Sequence, residues 1–144
     1  MRASEIEPDL RCRIRRTARL VGGQYERFAP IFAELNDAIA SGDTREAETA
    51  AFRLEGAMQA HFLLEEQMFF PALQGLYTDR EPELSALVKD HEHLRAQLRA
   101  LVDRILACQL QLAAKSVADC SAALLEHEAR EGIFVKALAE SEPE

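Results

Sequence analysis

The chain has 144 residues, enough for one domain spanning 1–144 with a sizeable core. Leu, Ala, Glu and Arg dominate, Trp is absent and β-branched residues are sparse, which favours helix over strand. A net charge of −8 argues against non-specific nucleic-acid binding, and no phosphate loop, dinucleotide fingerprint or Ser-His-Asp arrangement is present.

Met1 to Arg16 contain no apolar run of the kind a secretory signal needs, and the longest uncharged stretch, Ile105 to Ala114, is half a membrane span. A cytoplasmic protein without a membrane partner is expected, as a monomer or homodimer. Cys12, Cys108 and Cys120 have no close-pair spacing and are expected to be thiols in a reducing compartment, although Cys108 and Cys120 flank the third turn symmetrically enough to be neighbours. Arg11, Arg13, Arg15, Arg16 and Arg19 spread around a helix and are flanked by Glu5, Glu7 and Asp9, the pattern of a solvated face.

In the first segment Ile14, Ala18, Val21, Tyr25, Phe28, Phe32, Leu35 and Ile39 recur at steps of four and three, one face of a helix. The phase survives Gly22-Gly23 and Pro30, so the spacing predicts a kinked helix over about 8–41. Ser41-Gly42-Asp43 stops it, and Asp43 with Glu46 starts a second helix over about 44–70. Its stripe is Ala51, Leu54, Met58, His61, Glu65 and Met68, and Pro71 ends it. Ala72 to Glu81 reads as a loop. Pro82 suits the first turn of a third helix, over about 82–109, with Leu84, Leu87, Val88, His91, Leu94, Leu98, Leu101, Val102 and Ile105 on its stripe. The fourth, over about 113–139, carries Val117, Cys120, Leu124, His127, Glu131, Phe134 and Leu138. Four amphipathic helices with short connections predict an all-α, up-down-up-down antiparallel four-helix bundle.

His61, Glu65, His91, His127 and Glu131 all fall on stripe positions, which point into the core. The i, i+4 spacing of His61 with Glu65 and of His127 with Glu131 puts each pair on one helix face. Buried carboxylates are normally paired or bound to metal, and no Lys or Arg occupies the stripes. In an antiparallel bundle these five residues and Tyr25 fall into two layers about one helical turn apart. This is the pattern of a metal site in the core. Phe28, Phe32, Met58, Phe62, Met68 and Phe134 would wall it. His93 lies on another face and is expected to be solvated. Glu66 and Glu128, each beside a proposed ligand, are expected at the surface or just behind the ligands.

The chain resembles the hemerythrin-like family, whose pattern is a histidine on the first helix, H-x-x-x-E on the second, a histidine on the third and H-x-x-x-E on the fourth. His61 to Leu73, with Glu65-Glu66 and Phe70-Pro71-Ala72-Leu73, resembles its second-helix motif, and Asp90-His91-Glu92-His93-Leu94-Arg95 its third. His127 and Glu131 match the fourth. The resemblance implies a non-haem centre of two iron ions with an oxo or hydroxo bridge, manganese or zinc being alternatives. The implied metal residues are His61, Glu65, His91, His127 and Glu131, with both glutamates bridging.

Two departures stand out. Tyr25 occupies the first-helix stripe where the family places histidine, and is a candidate sixth ligand as phenolate. Arg95 stands where oxygen carriers have a second third-helix histidine. The shortage of ligands implies a more open centre, suited to O2-derived species and to peroxide decomposition. The partners are then small molecules such as O2, peroxide or NO. Sensing of oxygen, nitric oxide or iron without turnover is the alternative, and a helical scaffold with a structural metal a third.

Overall fold

The structure is a computed structural model that describes residues 24–140 continuously, together with Cys12, Arg15, Arg16 and Arg19. The described residues form helices and short turns, with no strand among them. The elements are α1 (Gln24–Ser41), α2 (Thr44–Leu64), a π-helical turn (Glu65–Phe69), α3 (Phe70–Leu76), α4 (Glu81–Leu106) and α5 (Leu110–Glu140). Packing follows a ring in which α1 contacts α2, α2 contacts α4, α4 contacts α5 and α5 returns to α1. With α3 prolonging α2, this is the expected antiparallel four-helix bundle. None of these helices is long and apolar enough to cross a membrane.

Local chemistry explains where the helices begin and end. α1 runs through Pro30, which is exposed; the carbonyl it leaves without a donor, that of Glu26, lies on an exposed residue and can be solvated. The start expected near residue 8 and the Gly22-Gly23 passage lie outside the described residues. At the far end Gly42 takes a left-handed φ of 72°. The N–H of Asp43 then bonds to the carbonyl of Ala38, and that of Gly42 to Ile39, closing the helix with a left-handed cap. The Asp43 side chain accepts from the N–H of Glu46 and starts α2, as its sequence position implies. The same left-handed cap ends α4, but there Cys108 rather than glycine carries φ 59°, with Gln109 N–H on Arg104 and Cys108 N–H on Ile105.

The second helix departs from expectation at Pro71. A proline in a regular helix lacks an N–H and its ring collides with the carbonyl four residues back, here Gln67. The backbone instead opens into the π turn, where the N–H of Phe70 reaches the carbonyl of Glu65, and Pro71 falls in the first turn of α3. The chain therefore stays helical to Leu76, and the loop shrinks to Tyr77–Arg80. The wider turn also rotates the inward face by one residue. Phe69 is fully buried, and Met68, expected to wall the site, is half exposed. Val88, also placed on an inward stripe, is exposed, next to the buried Leu87.

Two apolar clusters fill the bundle. The larger joins Phe28, Phe32, Leu35, Leu54, Met58, Phe62, Leu94, Leu98, Leu101, Ile105, Val117 and Leu124 from all four rods. The smaller gathers Phe69, Phe70, Leu73, Leu84, Leu87 and Phe134 around the turn between α3 and α4. Where the two clusters meet lie the buried polar residues His61, Glu65, His91, His127 and Glu131. A polar layer cuts the core in two.

The cysteines are free, with Cys108 exposed and Cys120 buried, where burial pushes the Cys120 thiol up to about 12. Of the basic N-terminal cluster, Arg16 and Arg19 are exposed and Arg15 is half-buried; Arg11 and Arg13 lie outside the described residues.

Candidate metal centre

α2 delivers His61 and, at its junction with the π turn, Glu65; α4 delivers His91; α5 delivers His127 and Glu131. All are buried, and His61 is the most accessible at 7%. Glu65 is the hub. Its Oε1 lies 3.2 Å from His61 Nε2 and 3.6 Å from His91 Nε2, and its Oε2 lies 3.6 Å from His127 Nε2. Glu131 Oε2 lies 3.2 Å from His127 Nε2. The donors form two groups that share Glu65: Glu65 with His91 and His127, and Glu65 with His61 and Glu131. In each, one donor atom per residue lies within 4.8 Å of the others.

Close as these atoms are, the Nε2 atoms of His61, His91 and His127 and both Glu65 oxygens make no well-aligned hydrogen bond, although all are out of water's reach. Buried donors and acceptors left in this way are costly. A cation at the focus of each group would satisfy them. Neutral imidazole and carboxylate donors suit iron, manganese or zinc. The residues fit a metal.

Without a cation the layer holds charge awkwardly. Burial pushes the Glu65 carboxyl up, but His127, His61 and His91 outweigh it and hold the group well below the usual carboxylate range. Burial pushes Glu131 up, and the neighbouring Glu65 carboxylate adds to this against the pull of His127. For His127, burial works downward, but Glu131 and Glu65 raise it to about 10. Without a cation the layer thus holds Glu65 toward its ionised form, Glu131 toward its protonated form and His127 toward imidazolium.

Two of the imidazoles are held from behind. His91 Nδ1 lies 3.4 Å from Glu66 Oε2, and Arg95 Nη2 contacts both Glu66 oxygens at 2.6 and 2.8 Å. His127 Nδ1 lies 3.0 Å from Asp90 Oδ2, and Arg130 grips Asp90 through Nε at 2.9 Å and Nη2 at 2.8 Å. Acids behind metal-ligating histidines fix the tautomer that points Nε2 inward. Rings complete the enclosure: His91 lies between Phe62, at 4.3 Å, and Phe70, at 5.1 Å, and Phe28 meets His61 edge-on at 5.7 Å. The arginine guanidinium of residue 95 also lies over Phe62.

A sequence model of the hemerythrin HHE cation-binding domain matches residues 24–137. The chain belongs to that family. No curated protein and no solved structure matches it. Cation binding is thus the family property that the clustered His and Glu side chains of this hemerythrin-like chain can serve.

The five stripe residues expected in the layer are brought together. Tyr25, the candidate sixth ligand, is not. Its phenol bonds to Ser121 Oγ at 3.0 Å, nearly two helical turns from His127, and stacks on Phe32. Its backbone N–H donates to Glu128 at 3.0 Å, so the height inferred from residue counting suits its backbone while the side chain runs elsewhere. Phe28 is the α1 residue that meets His61. Glu66 stands directly behind a candidate ligand, Glu128 ties α1 to α5, and His93 is exposed as expected. Sequence reasoning missed Asp90, Arg95 and Arg130 as partners of the site. The signal available was local: Asp90 adjoins His91, and each arginine follows a candidate histidine by one helical turn on its own helix.

Proposed function

We propose that this hemerythrin-like chain is a non-haem di-iron protein that handles O2-derived species and decomposes peroxide. The observation that carries the reading is the pair of buried donor groups sharing Glu65 within the apolar core. Bound iron would supply one-electron and O2 chemistry, which these side chains cannot perform themselves. Glu65 would bridge the two positions, with Glu131 as the second carboxylate; His91 and His127 would serve one position and His61 the other. Three imidazoles and two carboxylates leave coordination positions to water or a small molecule, because Arg95 is engaged with Glu66 and α1 presents Phe28.

Access favours small reactants. Phe28, Ile31, Ala57, Ala60 and Leu64 line a cleft of about 340 Å³ between α1 and α2, with His61 in its wall and Arg27 at its rim. Phe62, Phe70 and Phe134 keep water from the remaining sides. Glu131 can hold a proton beside His127 when the layer is empty, and must release it to take a cation.

Sensing of oxygen, nitric oxide or iron is the second reading. It is favoured by the placement of Tyr25, which removes the phenolate that would stabilise a ferric state. The experiment is to load the chain anaerobically with ferrous iron, record the visible spectrum after oxidation, and assay peroxide loss. Turnover proportional to bound iron supports the enzyme. Iron binding with spectral change but no turnover supports the sensor. The Ser121 contact predicts no tyrosinate band in the region of roughly 500–600 nm, and wild type and Tyr25→Phe should give the same spectrum.

A further inference from the structure

The two donor groups share Glu65 but differ in how they are held. His91 and His127 each have an acid at Nδ1, and each acid comes from a different helical segment than the histidine. Glu66 follows the hub Glu65 at the start of the π turn and reaches across to α4; Asp90 precedes His91 on α4 and reaches across to α5. Each acid is in turn gripped by an arginine from the histidine's own helix, Arg95 one turn after His91 and Arg130 one turn after His127. The result is two ties of the same design, one joining the π turn to α4 and the other joining α4 to α5. His61 has no such tie: among the described residues no acid is bonded at its Nδ1, and its ring borders the cleft facing α1.

We infer that Arg95 and Arg130 are positioning residues for the metal centre, and that they make its halves unequal. The group Glu65–His91–His127 takes the first cation, and the group His61–Glu65–Glu131 takes the second, more weakly. The inference rests on the metal-binding reading above. A ligand set whose rings are already fixed gives up less conformational freedom on binding. In the group facing α1, His61 is held by its packing against Phe28 without an acid behind it. Both arginines are substantially exposed, Arg95 at 36% and Arg130 at 47% of the side chain, so their pairs add little to the fold by themselves. Their effect falls on the imidazoles. Arg95, at the place where oxygen carriers have a further ligand, here positions a ligand instead.

The test is a stepwise titration of the metal-free 144-residue chain with Co2+, followed by its d–d bands, for wild type, Arg95→Ala, Arg130→Ala and the two Arg→Lys variants. Wild type should bind in two resolved steps. Each alanine variant should weaken the first step by about 10- to 100-fold, the usual cost of losing an outer partner of a metal ligand. The second step should move much less. Lysine, with one donor direction in place of the fork, should recover part of the loss. Arg53→Ala, which breaks a surface pair with Glu34, should move neither step. If an arginine variant does not fold, Asp90→Asn should show the same first-step loss. A single step with equal affinities, or equal weakening of both steps by Arg95→Ala, would overturn the inference. A wild type that takes no cation would overturn the metal-binding reading with it. Two normal wild-type steps with unaffected variants would overturn the positioning role alone.

Discussion

Leu98 and His91 occupy equivalent inward positions on α4, two turns apart, and both are buried to within 1%. The leucine is satisfied by the apolar side chains around it. The histidine is not: its Nε2 faces Glu65 without a well-aligned bond, in a layer where Glu65 is held toward its anion, His127 toward its cation and Glu131 toward its protonated form. The same contrast recurs on α5 between Leu124 and His127. Helical periodicity directs a side chain inward whatever its chemistry. The large apolar cluster therefore stabilises the bundle by itself, whereas the polar layer depends on something from outside the chain.

The largest expected effect comes from breaking that dependence at the hub. Glu65→Ala removes the residue common to both donor groups and should take metal content to nearly none, measured by elemental analysis after loading; unchanged content would remove Glu65 from its shared role. Leu98→Ala, in the apolar cluster, should cost about 2–5 kcal/mol by urea unfolding, equally with and without metal. Chelation of wild type should cost about 4 kcal/mol for each site held at 1,000 times its Kd, and should cost Glu65→Ala almost nothing. An equal response of the two variants to chelator would erase the distinction between the regions.

A pH series sharpens it further. His127 has its ordinary value of 6.5 raised to about 10 in the metal-free fold, so the folded state binds more protons than the unfolded one between these values. Metal-free stability should fall as pH rises from 6.5 to 10. Metal uptake should follow the opposite sign, tightening by up to about tenfold per pH unit for each proton displaced. Calorimetry in buffers of different ionisation enthalpy would count those protons, and uptake without proton release would contradict this charge assignment. The smallest effect lies at the far end of the apolar cluster. Cys108→Gly relieves a left-handed conformation in a residue with a side chain and should gain about 1 kcal/mol, without changing metal content.

Much of this was legible in the sequence because periodicity and turn chemistry are local. The stripes placed His61, Glu65, His91, His127 and Glu131 in the core within about one helical turn of each other, and Asp43 marked its helix start. Three features were not legible. Pro71 reads as a stop, and only packing of Phe69, Phe70 and Leu73 into the smaller cluster makes a widened turn worthwhile. Tyr25 has the right phase and height, but its long side chain follows a hydroxyl partner, Ser121, that no local rule identifies. Asp90, Arg95 and Arg130 lie beside the stripes, where sequence suggests solvent, yet long side chains at the edge of a helix contact can reach behind a buried ring.

The most direct test of the central claim is anomalous diffraction at the iron edge from crystals of the iron-loaded chain. Two peaks are expected in the layer between the apolar clusters. One would lie about 2.0–2.2 Å from donors of Glu65, His91 and His127, and the other within the same range of His61, Glu65 and Glu131. Iron found only outside that layer, or none with the five side chains ordered as described, would contradict it.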